Sequence, residues 1–157
     1  ALLVGGDPGI GKSTLLTQAA AALASVGVAK ERIRICSTFA EAEAAWKAGD
    51  FIASADLSCV VGLPVHVVVE ATGQPEAGAE HACMAIEAGR HVALVSKEAD
   101  SVVGPGLAVA ARKRGLVVTP VDGDQPSLLI GLVSWAETLG LGILAAGKAS
   151  EYDFVFD

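Results

Sequence analysis

Residues 65–96 read VHVVVEATGQPEAGAEHACMAIEAGRHVALVS, and the β-rich and helical patterns within them indicate the fold class. Its first part, 65–72, is an almost continuous run of β-branched residues, which is typical of a parallel strand buried on both faces. Pro75 opens a helical pattern that closes on Gly89, in the way that helices commonly begin and end. A second β-rich run follows at 91–96. A strand, a helix and a second strand joined by short connections predict a parallel β-α-β unit.

The same alternation of β-rich runs and Ala-rich helical stretches extends along the rest of the chain. We predict further strands at 1–5, 32–37, 51–54 and 116–121. Further helices are predicted at 12–25, 39–49, 104–115 and 125–140, with one or two helical turns at 55–61. LGILAAG (141–147) closes the series, and EYDFVFD (151–157) is either an extra edge strand or the start of a missing element. This alternation predicts an α/β fold, a doubly wound parallel sheet in a Rossmann-like three-layer sandwich, with 1–157 as a single domain.

The composition limits the classes of protein to which the chain can belong. Its 157 residues are 52% hydrophobic and only 4% aromatic, which predicts one domain with an aliphatic core. The net charge of −7 argues against a nucleic-acid partner, because such binding needs a clustered basic face. The cysteines lack the spacing of a disulfide framework or a zinc site. The most apolar stretch, 126–146, is interrupted by polar residues and glycines, so we expect a cytoplasmic protein without a membrane span.

Residues 6–13, GDPGIGKS, match the phosphate-binding motif G-x-x-x-x-G-K-[ST] at every fixed position. The three glycines allow the backbone to curl so that successive N–H groups point at phosphate oxygens. Lys12 supplies a cation for the β- and γ-phosphates, and the Ser13 hydroxyl can coordinate Mg²⁺. A predicted helix follows the loop, and its N-terminus adds positive potential there. The candidate nucleotide-binding residues of the loop are Gly6, Asp7, Pro8, Gly9, Ile10, Gly11, Lys12, Ser13 and Thr14, with Ser13 also as the metal ligand.

The stretch LLVGGDPGIGKSTLLTQAAAALA (2–24) resembles the Walker A segment of RecA-like P-loop ATPases. The resemblance implies ATP or a related nucleotide as the ligand, together with Mg²⁺, and it ends near Ala24. Glu70, at the end of an apolar strand, has the position of a Walker B acid that could hold Mg²⁺ through a water. The alternative is a polar residue that only ends the strand. We expect Glu70 to lie close to the phosphate loop, with Asp7 and Glu98 less well placed.

No arginine is expected to reach a γ-phosphate. Arg34 and Arg90 are predicted near the N-terminal ends of their strands, whereas ligands bind at the opposite edge of such a sheet. An arginine finger contributes about 10³–10⁵-fold in rate. We therefore expect nucleotide binding with at most slow hydrolysis, and we assign no catalytic residue.

From about residue 30 to 148 the chain resembles a second family. The matching stretches are 65–100, 104–126 and 135–148, which include the EATG, KEAD and GDQP segments. They are similar to the NAD(P)-binding Rossmann domain of homoserine-dehydrogenase-like oxidoreductases, including those that are linked to a SAF domain. This resemblance implies that Ala71, Thr72 and Gly73 lie beside a nicotinamide ribose and that Lys97 faces the cofactor or the substrate. NAD(P) is therefore the alternative cofactor.

The sequence departs from that family where the dinucleotide would bind. Thr14 stands where the G-x-G-x-x-G fingerprint has its third glycine, and the second strand ends in Cys36-Ser37-Thr38 instead of an acidic residue. The family also carries its substrate site on a further domain. We therefore expect no dehydrogenase activity.

Two resemblances that meet near residues 25–30 indicate a chimera, in which a P-loop β-α element stands in place of the first β-α element of a Rossmann domain. Both an evolutionary and an engineered origin stay open, as does the oligomeric state. The main hypothesis is binding of an ATP-type nucleotide. The alternatives are an NAD(P)-binding domain and a relic or designed fold without catalytic function. The dehydrogenase-like pattern after residue 30 predicts that strand 1–5 lies directly between strands 32–37 and 65–70.

Overall fold

The computed structural model describes residues 12–121 and 125–147. The predicted strand 1–5, its position in the sheet, the loop residues 6–11 and the tail 151–157 lie outside the described residues. By its internal contacts the chain divides into two compact units, Ala1–Thr119 and Pro120–Asp157. Each unit is described by itself, and the expectation of a single domain stays a prediction.

Helices and strands alternate along the described chain. The helices are α1 (Lys12–Ser25), α2 (Phe39–Lys47), α3 (Pro75–Glu87), α4 (Lys97–Arg112) and α5 (Gln125–Thr138). The strands are β1 (Ile33–Ile35), β2 (Phe51–Ala53), β3 (Val67–Glu70), β4 (His91–Leu94) and β5 (Val118–Pro120). Short 3₁₀ turns cover Lys30–Arg32 and Leu57–Cys59, and the second of them confirms the helical turn predicted within 55–61.

The strands of the described residues form two small sheets. β1 pairs with β2 in parallel, with Ile33 opposite Phe51. β3 pairs with β4 in parallel, with Glu70 opposite Leu94, and β5 completes a three-stranded sheet of order β3-β4-β5. Parallel strands joined by helices confirm the predicted α/β, Rossmann-like fold class.

Helices α3 and α4 pack on each other and on one face of β3 and β4. Their common core consists of Val68, Ala82, Ala85, Ile86, Val92, Leu94, Leu107 and Ala111. On the other face of β3, Val67 and Val69 are 51% and 60% exposed. The prediction of a strand buried on both faces is therefore wrong for β3 as described. The physical reason is that both helices in contact with β3 and β4 lie on the face that carries Val68.

Helix α4 begins at Lys97 rather than at the predicted residue 104, and it contains Pro105 in its interior. A proline inside a helix removes one backbone hydrogen bond, so other interactions must compensate. Ala99, Leu107 and Ala111 are buried along this helix, and its packing against α3 and the sheet outweighs the weak helix propensity of Gly-Pro-Gly. The helix ends at Arg112, so the basic residues 112–114 lie at its C-terminal end, where they complement the helix dipole.

A capping box begins α2. The Thr38 hydroxyl accepts a hydrogen bond from the backbone N–H of Glu41, and the Glu41 carboxylate accepts from the backbone of Ser37 and Thr38. These backbone bonds, that of Ser37 above all, hold the pKa of Glu41 below its usual value, because they stabilise the charged carboxylate.

Helix α2 contributes Ala42 and Ala45 to a second hydrophobic core. This core consists of Cys36, Ala42, Ala45, Ile52, Leu57, Cys59, Val60 and Leu63.

The second unit is described at residues 120–121 and 125–147. Leu129, Leu132 and Val133 of α5 line a shallow apolar groove together with residues of the segment 141–147. That segment forms neither a helix nor a strand. Leu128, Ile130 and Trp135 are largely exposed. Among the described helices, none combines the length and the apolar content that crossing a bilayer requires.

Candidate functional site

The N-terminus of α1 stands where the phosphate-binding motif requires it. The helix begins at Lys12, so Lys12, Ser13 and Thr14 form its first turn, as predicted. This turn contains no acidic residue. By contrast, the first turns of α2, α3 and α4 carry acidic residues, namely Glu41, Glu76, Glu98 and Asp100. The positive end of the α1 dipole is therefore not balanced by a carboxylate from its own first turn, which favours an anion from outside the helix.

The other end of α1 anchors the helix. Ala19 and Leu23 are buried, and the helix contacts β1 and β2. The N–H of Val28 donates to the Leu23 carbonyl and that of Gly27 to the Ala24 carbonyl, while Gly27 has a φ of 89°. This is a Schellman ending, which favours glycine because of the positive φ. The Ala-rich sequence, the apolar contacts and the C-terminal cap together fix the direction of α1 relative to the first sheet.

A second group of predicted residues lies at the C-terminal end of β3. Glu70 is only 2% exposed, and its Oε1 accepts hydrogen bonds from the backbone N–H and the hydroxyl of Thr72, at 2.8 and 2.6 Å. The Thr72 hydroxyl in turn accepts from the backbone N–H of Gln74 at 3.2 Å. The Glu70 side chain thus bends back onto the turn that follows its own strand.

The second carboxylate oxygen of Glu70 lies between two helices. A Cβ placed on Gly78 of α3 would stand 3.2 Å from Oε2 of Glu70 and 2.8 Å from the Cβ of Ala99 in α4. Oε2 is buried, and it has no hydrogen-bond partner among the described residues. Gly78 and Ala99 belong to the first turns of α3 and α4, so this oxygen lies beside the N-terminal ends of both helices.

A hydrogen bond joins the ends of β3 and β4. The backbone N–H of Gly73, whose φ of +70° favours glycine, donates to the Ser96 hydroxyl at 2.7 Å. Ser96 is 3% exposed and directly precedes Lys97, the first residue of α4. The segment from Glu70 to Gly73 is therefore held in one conformation at the C-terminal edge of the sheet, where α/β proteins bind ligands.

Of the predicted site residues, the structure brings together Glu70, Thr72 and Gly73. Lys12, Ser13 and Thr14 share the first turn of α1, while Gly6, Asp7, Pro8, Gly9, Ile10 and Gly11 lie outside the described residues. The predicted proximity of Glu70 to the phosphate loop therefore stays a prediction. Within the described ranges, no group of three or more His, Cys, Asp or Glu side chains is arranged to hold a metal ion.

The arginines near the first sheet and β4 are held by other groups. Arg34 forms a 2.8 Å ion pair with Asp50, and Arg32 lies over the Phe51 ring at 5.5 Å from its centroid. The Arg90 guanidinium donates to the carbonyls of Val61 and Gly62. The three guanidinium groups are therefore held by contacts with other residues of the protein.

Sequence reasoning missed two residues of the edge after β3. Ser96 receives the Gly73 N–H, and its position between a strand and a helix was the available signal, since serine is common at helix N-termini. Gly78 allows the close approach of Glu70 and Ala99, and a glycine inside a helical pattern was the signal there.

An apolar cavity of about 230 Å³ lies in the first unit between the turn Leu57–Cys59 and β3. Its lining consists of Ile52, Leu57, Val60, Val61, Leu63, Val65, Val67, Val68, Val69 and Ala71. Because these side chains are all apolar, the cavity offers no side-chain hydrogen bond to a phosphate or a ribose, and it is not a candidate nucleotide site.

A segment of 27 residues is 85% identical to the DNA repair protein RadA of Brucella abortus (strain 2308). The segment makes up 17% of this chain and only 6% of that protein, so the chain matches a small part of this relative. No protein-family model matches the chain. The match supports a Walker A-like segment, whereas the resemblance of residues 30–148 to dehydrogenases stays a prediction.

Proposed function

We propose that this protein binds the phosphates of an ATP-type nucleotide through residues 6–13. The observation that carries the proposal is the start of α1 at Lys12, directly after the glycine-rich loop, because the motif places a helix N-terminus at that point. The 27-residue similarity to RadA supports the same conclusion. The absence of acidic residues from the first turn of α1 adds to it, since a carboxylate there would compete with phosphate.

Each part of the loop has a role in this proposal. The backbone N–H groups of the loop surround the phosphate oxygens, and the Lys12 ammonium neutralises the β- and γ-phosphates. Ser13 binds Mg²⁺ through its hydroxyl. Mg²⁺ prefers oxygen ligands and keeps several waters, so one hydroxyl and the nucleotide phosphates are sufficient partners. The donor set therefore fits this ion.

In the proposed site, Glu70 helps to fix the backbone conformation at the C-terminal edge of the sheet. Its Oε1 is engaged with Thr72, so this oxygen holds the turn 71–74 instead of a metal-bound water. The water-mediated contact with Mg²⁺ stays a prediction that would have to use Oε2, which is buried beside Gly78.

Hydrolysis is expected to be slow. Transition-state charge on a γ-phosphate needs a free cation, and Arg32, Arg34 and Arg90 have other partners. Since an arginine finger contributes about 10³–10⁵-fold in rate, we propose a nucleotide-binding protein with little or no turnover. A phosphate-release assay should give a rate well below about 1 s⁻¹.

The proposal is tested by calorimetric titration of the protein with ATP, GTP, NAD⁺ and NADP⁺, each with and without Mg²⁺. We expect the triphosphates to bind more tightly with Mg²⁺ and the dinucleotides to bind weakly or not at all. Binding of NAD⁺ or NADP⁺ without binding of either triphosphate would contradict the proposal and favour the dehydrogenase-like alternative. The same titrations compare adenine with guanine.

A further inference from the structure

We propose that His91 is a pH-sensitive latch that holds the start of β5 against β4. His91 is the first residue of β4, and its Nδ1 accepts a hydrogen bond from the backbone N–H of Val117 at 3.0 Å. The Val117 carbonyl accepts from the backbone N–H of Val92 at 2.9 Å. Both backbone polar groups of Val117 are therefore bonded to β4, one through the main chain and one through the imidazole.

The bond depends on the protonation state of the ring. Nδ1 can accept only while it carries no proton, so the latch requires the neutral imidazole with its hydrogen on Nε2. When the ring takes up a second proton, Nδ1–H faces the Val117 N–H, and the bond is replaced by two opposed donors. Histidine is the side chain that makes this change near neutral pH. The latch is therefore closed at high pH and open at low pH.

At the contact between His91 and Val117, the imidazole is the group whose protonation state changes. The titratable and charged groups at this end of β3, β4 and the α4–β5 turn are His66, Glu87, Arg90, Arg112, Lys113 and Arg114. The Arg90 guanidinium donates to the carbonyls of Val61 and Gly62, and that of Arg114 donates to the Glu87 carbonyl. In the described part of the chain, no salt bridge includes His91. Protonated His91 thus gains no described carboxylate partner in exchange for the lost bond.

Because of the position of Val117, the latch affects the attachment of β5 to β4. Val117 directly precedes β5, which ends at Pro120, the first residue of the second compact unit. Opening of the latch removes the side-chain bond at the start of this strand. Acid therefore loosens the attachment of β5 to β4 before it affects the pairing of β3 with β4, whose backbone bonds do not titrate.

The latch is tested by NMR on the whole chain between pH 8 and pH 5. Two quantities are followed, the ring signals of His91 and the amide exchange of Val117, corrected for the intrinsic pH dependence of exchange. We expect Val117 protection to fall about fivefold as the ring becomes protonated, which corresponds to the loss of one hydrogen bond. The amide of Cys36, which is bonded to the Ala53 carbonyl in the other sheet, serves as the internal reference.

Two variants distinguish the latch from a general effect of acid. In His91→Asn, the amide Oδ1 can accept from Val117 but does not titrate, so protection should stay constant over this pH range. In His66→Asn, the fall in protection should remain. Unchanged Val117 protection in the wild-type protein while His91 titrates, or an equal fall in His91→Asn, would overturn the proposal. If His91→Asn does not fold, two pH midpoints of the wild-type protein are compared instead: that of the His91 ring signals and that of the Val117 amide protection. Equal midpoints support the latch, and different midpoints refute it.

Discussion

Oε1 of Glu70 accepts two hydrogen bonds from Thr72, one from its backbone N–H and one from its hydroxyl. The same carboxylate fills the space that Gly78 leaves beside Ala99. One side chain at the end of β3 therefore fixes the turn that follows the strand and contributes to the packing of α3 against α4. This edge of a parallel sheet is where α/β proteins bind ligands, so the local order there bears on function.

The hydroxyl of Thr72 should contribute measurably to stability. Thr72→Val keeps the shape of the side chain but removes the donor to Glu70 and the acceptor for the Gln74 N–H. We expect a loss of about 1–2 kcal/mol in the free energy of unfolding, since hydrogen bonds to charged groups are the stronger ones. Urea denaturation measures the loss, with Thr72→Ser as the control that retains the hydroxyl. Equal stability of the two variants would show that the bond contributes nothing.

Gly78→Ala should destabilise the protein although alanine favours helices. The new Cβ would stand 2.8 Å from the Cβ of Ala99, which is closer than Cβ contacts allow, and 3.1 Å from Cδ of Glu70, which is a tight contact. We expect a loss of about 1–3 kcal/mol from overpacking. Gly106→Ala in α4 is the matched control: nothing lies within 4 Å of its added Cβ, so it should gain up to about 1 kcal/mol. A stabilised Gly78→Ala variant would mean that α3 and α4 pack less closely than described.

The three cysteines are free thiols, and they should differ in reactivity. Cys36 and Cys59 are buried, whereas Cys83 is exposed. Burial raises the pKa of the Cys36 thiol, and the nearby carboxylate of Glu41 raises it further. Since the thiolate is the reactive form, we expect iodoacetamide to modify Cys83 first, with Cys36 still slow at a pH where an ordinary cysteine reacts readily.

Mass spectrometry of the alkylated protein over a pH series checks this order. Glu41→Gln is the informative variant, because glutamine can still take part in the capping box but carries no charge. Its Cys36 pKa should move back toward the ordinary value, and alkylation of Cys36 should become faster at alkaline pH. Modification of Cys36 as fast as that of Cys83 in the wild-type protein would contradict the described burial.

Local sequence signals predicted the ends of several helices. The bounds of α1 are those predicted, 12–25, and α2 and α3 begin where predicted because Thr38 is an N-cap and Pro75 suits a first turn. The start of α4 could not be read in this way. Its Gly-Pro-Gly segment favours a break, and only packing against α3, a contact between distant parts of the sequence, extends the helix across it.

The candidate site was predictable to a different degree at each residue. The Walker A spacing gave the start of α1 at Lys12, because motif and helix are both local. The direction of the Glu70 side chain was not predictable, since an acid at a strand end can point to a ligand or bend back onto its own turn. The exposure of Val67 was missed for a similar reason: β-branched composition indicates a strand but not which of its faces is covered.

Isothermal titration of Lys12→Ala with Mg²⁺-ATP tests whether Lys12 and its loop bind nucleotide phosphates. A charge-assisted contact contributes about 1.5–3 kcal/mol, so the dissociation constant should rise about tenfold or more relative to the wild-type protein. Lys113→Ala, which removes the same charge after the end of α4, should bind ATP as the wild type does. An unchanged dissociation constant in Lys12→Ala, with ATP still bound, would show that the nucleotide binds elsewhere and that residues 6–13 are not its site.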